Sequence, residues 1–158
     1  MIFALDTNVL MDILYEGEQY HERSKEVLES VSEKGFFVVS LEVYSELVTA
    51  FDRRFSDPRG EVDTFLDEKG IQLEPQNRES LSLAGRRWNE YASFDEVRCP
   101  ACGSPNRFEC ENCGDEVVWR NHLITDFLIC AHASVHADRL VTRDRGYYST
   151  YFEVDVEY

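Results

Sequence analysis

Two short apolar runs, far apart in the chain, each lead straight into an aspartate. Met1-Ile2-Phe3-Ala4-Leu5 is closed by Asp6, and Leu140-Val141-Thr142-Arg143 runs into Asp144. Runs this short read as buried strands, and the stretches between them carry helical periodicity. Residues 8–14 are predicted as a short helix. Tyr20, Ser24, Val27, Leu28 and Val31 fall at helical spacing, so residues 18–34 form a second, stopped near Gly35. Residues 36–40 are another buried strand. Ser40 is placed to cap a helix whose inward stripe is Leu41, Tyr44, Leu47, Val48 and Phe51. Pro58 suits a helix start, Gly70 its stop, and residues 71–73 a third short strand. A helix over residues 77–93 turns Leu81, Ala84, Trp88 and Tyr91 inward. Residues 124–135 return to helix, 140–142 to strand, and 152–156 form the last strand. Strands separated by helices imply an α/β fold with a largely parallel sheet and right-handed crossovers.

In such sheets ligands gather at the carboxyl ends of strands. Asp6 and Asp144 stand at such ends, and Glu46 and Asp126 lie on amphipathic segments expected beside them. Each acid alone has a plain structural reading. Asp6 could cap a helix, Glu46 could be a solvated helix residue as its neighbour Glu42 is expected to be, Asp126 could complement a helix dipole, and Asp144 could shape a turn. Together they are more specific. Four converging carboxylates raise one another's pKa and cannot all stay ionised without a partner. A divalent cation with oxygen ligands, Mg²⁺ or Mn²⁺, resolves the conflict. That chemistry points to a metal-dependent phosphodiesterase.

At 158 residues with 43% hydrophobic side chains, the chain has enough material for a real core. No apolar stretch approaches the ~20 residues of a membrane helix, and no signal peptide is visible, so a cytoplasmic protein without membrane contact is expected. The net charge of −15 is unusual for a protein that meets nucleic acid, because polyanions repel acidic surfaces. Lysine is scarce: Lys25, Lys34 and Lys69 stand against thirteen arginines. This balance suits a cytoplasm of very high salt, where the Debye length falls to ~3 Å at 1 M and long-range repulsion fades. A halophilic origin is therefore expected, and a melting temperature that rises with KCl would bear it out.

The segments Leu5-Asp6-Thr7-Asn8-Val9-Leu10, Ser45-Glu46-Leu47, Asp126-Phe127-Leu128-Ile129-Cys130-Ala131-His132-Ala133 and Leu140-Val141-Thr142-Arg143-Asp144-Arg145-Gly146-Tyr147-Tyr148 resemble PIN-domain ribonucleases, above all the toxins of VapBC-type toxin–antitoxin pairs. The resemblance runs in the right order over nearly the whole chain, apart from a cysteine-bearing segment. It implies a single PIN-like domain over residues 1–158, a Mg²⁺- or Mn²⁺-dependent endoribonuclease, and an acidic quartet of Asp6, Glu46, Asp126 and Asp144. Asn8 and Thr142 match the supporting polar positions. On this reading Asp6 and Asp144 hold the metal directly or through water, Asp126 completes the shell, and Glu46 orients the attacking water or holds a second ion. The resemblance further implies an RNA substrate, a homodimer, and a cognate antitoxin that holds the enzyme inactive. Arg139, Arg143 and Arg145 are candidate RNA contacts, with Arg53-Arg54 and Arg86-Arg87 as weaker ones. His21, His122, His132 and His136 show no catalytic spacing and read as structural.

Cys99-Pro100-Ala101-Cys102-Gly103 and Cys110-Glu111-Asn112-Cys113-Gly114 form two Cys-x-x-Cys knuckles, each followed by the glycine that lets the backbone turn toward the thiolates. Four thiolates suit structural Zn²⁺ in a small hairpin inserted over residues 98–119, too short to bury a core of its own. Cys130 reads as a buried apolar residue. Two other functions compete with the toxin: a housekeeping PIN nuclease of RNA maturation, and a catalytically silent PIN scaffold that binds a protein through its zinc hairpin.

Overall fold

The computed structural model describes residues 1–15, 17–92, 97–98, 105–106, 109, 111–114, 124–143 and 148–158. In chain order they form β1 (Ile2–Leu5), α1 (Thr7–Leu14), α2 (His21–Ser32), β2 (Phe36–Val39), α3 (Leu41–Asp52), α4 (Pro58–Lys69), β3 (Ile71–Leu73), α5 (Arg78–Ala92), β4 (Val97–Arg98), β5 (Pro105–Asn106), α6 (Thr125–His136), β6 (Arg139–Val141), α7 (Tyr148–Tyr151) and β7 (Asp155–Glu157). Five strands make one parallel sheet in the order β3-β2-β1-β6-β7, flanked by helices. The expected α/β architecture is present. α7 is an addition the sequence did not announce, and the final strand starts three residues later than expected.

The sheet is built around β1. Phe3, Ala4 and Leu5 are buried, as are Val38 and Val39 of β2 and Leu140 and Val141 of β6. Such continuous apolar strands are what a parallel sheet covered on both faces requires. Gly35 has a steric role at the entry to β2. A Cβ there would lie 1.8 Å from the carbonyl oxygen of Met1, so only glycine lets the chain pass β1. Gly70 ends α4 in the left-handed region, with φ 63°, as its stop position requires.

Helix starts follow local chemistry. The Ser40 hydroxyl accepts from Val43 N–H at 3.3 Å, and Pro58 opens α4 behind Asp57, whose carboxylate accepts from Gly60 N–H at 3.1 Å. Asn77 and Ser80 form a reciprocal box at the start of α5: the Ser80 hydroxyl accepts from Asn77 N–H, and Asn77 Oδ1 accepts from Ser80 N–H. Two expected inward leucines are corrected. Leu41 and Leu81 are exposed, and Val43 and Ser80 are buried instead. The buried series are 43, 47, 51 on α3 and 80, 84, 88 on α5, each repeating every four residues. Leu41 lies two residues, or about 200°, away from its series on a 3.6-residue helix. Among the described residues no helix is long and apolar enough to cross a membrane.

Candidate active site at the strand ends

The chain leaves β1 toward β2 on one side, whereas β6 is entered from β3 and leads to β7 on the other. The carboxyl ends of β1 and β6 therefore flank a crevice where the connections diverge, the place where open parallel sheets bind ligands. Asp6 N–H donates to the Val141 carbonyl at 3.1 Å, so the two strands stay paired up to this crevice.

Asp6 is only 6% exposed. It occupies the N-cap position of α1 without using its side chain as a cap. The carboxylate instead accepts on Oδ2 from Asn8 Nδ2 at 2.6 Å and from the Thr142 hydroxyl at 2.5 Å. Asn8 Nδ2 also reaches Thr142 Oγ1 at 3.0 Å, and Asn8 Oδ1 accepts from the backbone N–H of Arg143 at 3.2 Å. One acid is thus held by residues from both ends of the chain.

Glu46 joins through a residue whose role the sequence did not disclose. The Thr7 hydroxyl donates to Glu46 Oε2 in a very short hydrogen bond, tying α3 to the first residue of α1. Only Ser40 separates β2 from α3, so that helix starts at the carboxyl end of the sheet. Asp126 lies in the first turn of α6, which packs on β1 and β6. Two residues link α6 to β6, so the helix runs back along the strand and its first turn points toward the crevice. Its place in that turn also agrees with the helix-dipole reading. Asp144 lies outside the described residues. Glu42, expected to be solvated, accepts from Gln76 Nε2 at 2.7 Å, and Gln76 also donates to the Leu128 carbonyl at 3.1 Å.

Four of the expected RNA-contact arginines are engaged within the protein. Arg139 pairs with Glu157 across the β6–β7 edge. Arg143 Nε lies 2.8 Å from Asp12 Oδ2, with its guanidinium 4.4 Å from the Tyr20 ring centroid. Arg54 covers the ring of Tyr15 at 3.8 Å, and Arg87 pairs with Glu90. Arg145 lies outside the described residues.

The donor set suits a hard divalent cation. An amide and two hydroxyls orient the oxygens of Asp6 and Glu46 without neutralising their charge, and the Arg143 guanidinium is turned to Asp12. Among the described residues, no three His, Cys, Asp or Glu side chains come together as a closed ligand set. Asp144, Cys99, Cys102 and Cys110 lie outside those residues. Of the two Cys-x-x-Cys knuckles, Cys113 is described and exposed, and Gly114 follows it at φ 76°. The short antiparallel pair β4–β5 lies in the same segment.

Two histidines sit apart from this chemistry. His132, 1% exposed, contacts the Glu74 carbonyl through Nε2 at 2.9 Å and stacks on His136 with ring centroids 4.7 Å apart. Burial lowers the pKa of His132 below 6.5, and the neighbouring His136 lowers it further. Both read as structural, as the sequence suggested, and Cys130 is fully buried.

The family model described as PIN domain matches residues 3–153. No curated protein matches the sequence. Several solved structures share the fold at low identity. The VapBC2 complex of Rickettsia felis, bound to a DNA fragment from its promoter, matches with TM-score 0.65 and 15% identity over 100% of both chains. VapBC-1 of nontypeable Haemophilus influenzae matches with TM-score 0.62 and 17% identity over 99% of this chain and 96% of that one. VapC20 of Mycobacterium tuberculosis, described as a sarcin-ricin loop cleaving toxin, matches with TM-score 0.56 and 14% identity over 97% of each.

Proposed function

This chain belongs to the PIN-domain family, whose members are generally nucleases, and on that premise we propose that it is a Mg²⁺- or Mn²⁺-dependent endoribonuclease, the toxin of a type II toxin–antitoxin pair. The observation that carries the reading is the Asp6 carboxylate, clamped by Asn8 and Thr142 beside Glu46 at the crevice of the sheet. Likeness in fold to chains of VapBC complexes supports the toxin assignment and, with it, an antitoxin partner; the homodimer rests on the family resemblance alone.

Asp6, Glu46, Asp126 and Asp144 would hold the cation, which when bound polarises a phosphoryl oxygen and lowers the pKa of water. The chain's own residues set the geometry. Asn8 and Thr142 fix the rotamer of Asp6, and Thr7 fixes that of Glu46, so the carboxylate oxygens would face the cation without reorganising. Within that set Glu46 would orient the attacking water or hold a second ion. Hydrolysis by water leaves a 5′-phosphate and a 3′-hydroxyl. Cys99, Cys102, Cys110 and Cys113 would hold a structural Zn²⁺ that braces the segment before Asp126; the glycine turn after Cys113 and the β4–β5 pairing support this reading.

The test is cleavage of total cellular RNA in high-salt buffer with Mn²⁺, comparing the wild type with Asp6→Asn and Asp144→Asn, with zinc content measured in each. Discrete fragments with 5′-phosphate ends, lost in both variants while zinc is retained, are expected. Ends carrying 2′,3′-cyclic phosphate would exclude the mechanism, and a folded, zinc-loaded wild type that cuts nothing would favour the silent scaffold. A neighbouring gene for a small DNA-binding protein separates the toxin from a nuclease of RNA maturation.

A further inference from the structure

Arg143 precedes Asp144 in the chain, where a basic side chain invites assignment to RNA. Its side chain is committed elsewhere. Asp12, on the buried face of α1 and 3% exposed, takes the guanidinium at 2.8 Å on Oδ2. The same oxygen accepts from the Ser24 hydroxyl of α2 at 2.6 Å, and that hydroxyl meets the Tyr158 hydroxyl at 2.9 Å. Tyr20 covers the guanidinium from the α1–α2 connection, with its ring centroid 4.4 Å away. The main chain of Arg143 faces the other way, donating its N–H to Asn8 Oδ1, while Asn8 Nδ2 holds Asp6. Arg143 thus links a buried carboxylate outside the acidic quartet to the clamp on Asp6, by its side chain on one hand and its backbone on the other.

We infer that Asp12 is a positioning residue for the cation site: by holding Arg143 it fixes the strand-end segment 142–143 against Asn8, sets the Asp6 clamp, and withdraws Arg143 from RNA. The inference rests on the proposed nuclease reading. A buried ion pair is a poor source of net stability, because desolvation offsets its attraction, but it enforces one geometry. Here that geometry is shared with Thr142 and Asn8, both bonded to Asp6.

The test is Asp12→Asn, which keeps the shape and removes the charge, measured in three ways. Mn²⁺ affinity by calorimetry is expected to fall roughly tenfold to a hundredfold, as when other partners that orient metal ligands are lost. In the metal-free protein the Arg143 amide is expected to exchange its hydrogen faster. In RNA cleavage kcat is expected to fall with KM little changed, and Asp12→Glu to restore part of each loss. Wild-type Mn²⁺ affinity and wild-type exchange in Asp12→Asn would overturn the inference. So would tighter RNA binding at unchanged Mn²⁺ affinity, which would mark Arg143 as an RNA contact held in reserve. If the wild type cleaves no RNA, the nuclease reading fails, while affinity and exchange still decide the role of Asp12. If Asp12→Asn does not fold, Arg143→Lys is read by the same two measurements. A smaller loss of Mn²⁺ affinity supports the inference, and none overturns it.

Discussion

Two buried polar clusters in this molecule are governed by opposite rules of charge. Around β1 and the end of β6, Asp6 and Asp12 are carboxylates held by hydroxyls, an amide and, for Asp12, an arginine. Near the end of β3, His132 and His136 stack face to face beside Glu74, and burial favours the neutral ring of His132. The first cluster loses its purpose if its charges are removed. The second is disturbed if charge is added, since two imidazolium rings with centroids 4.7 Å apart repel. Burial alone therefore does not separate function from structure. What separates them is whether the partners preserve charge, as Asn8 and Thr142 do, or suppress it, as the walls around His132 do.

Substitution tests the contrast most strongly at Asp6. Asp6→Asn is expected to lower RNA cleavage on the order of a thousandfold, equivalent to several kcal/mol of transition-state stabilisation. Its melting temperature should stay level or rise, because a repelled charge is removed. His132→Gln should leave cleavage at neutral pH within a factor of about two. Equal losses of activity in the two variants would erase the distinction.

Next in size is Asp12→Ala, which strands the Arg143 guanidinium. Removing one partner of a buried pair costs about 3–5 kcal/mol, and the 30% exposure of Arg143 places this variant at the low end. Chemical denaturation measures it, and a loss near zero would mean that water replaces the carboxylate.

The smallest effect is a pH dependence from the histidine cluster. The folded pKa of His132 lies below its ordinary value of 6.5, chiefly through burial. Above pH 6.5 both folded and unfolded chains keep this ring neutral, and its contribution to stability is intact. As pH falls below that value the unfolded chain takes up the proton first, so stability declines by at most about 1.4 kcal/mol per pH unit. Melting curves between pH 8 and pH 5 should therefore fall more steeply for the wild type than for His132→Gln. Parallel curves would remove His132 from the account.

The sequence made the main strands legible because burial on both faces leaves continuous apolar runs, and it made Gly70, Pro58 and Ser40 legible because each meets a local backbone need. Asp6 was also readable, since strand ends are where a parallel sheet gathers polar groups, whereas Asn8 and Thr142 were marked only by the family resemblance. The partnership of Arg143 with Asp12 was not. Nothing local marks residue 12 of a short helix as the terminus of an ion pair with residue 143. Thr7 was hidden in the same way, because its role appears only when α3 brings Glu46 across. Leu81 misled for a different reason: the small, polar Ser80 takes the inward place beside it through the cap it shares with Asn77. Glu46 and Asp126 were expected as members of an acidic set, and their relation to Asp6 depends on how α3 and α6 leave their strands.

The bond between Thr142 and Asp6 spans 136 positions of sequence. A ribosome making this chain adds Thr142 only 136 residues after Asp6. Until β6 threads in beside β1, the carboxylate lacks its hydroxyl clamp, and the crevice has only one wall. Long-range pairing of this kind is slow to form. On the proposed nuclease reading, a nascent chain should therefore leave RNA uncut until Thr142 has been added and β6 is paired, a delay built into strand order.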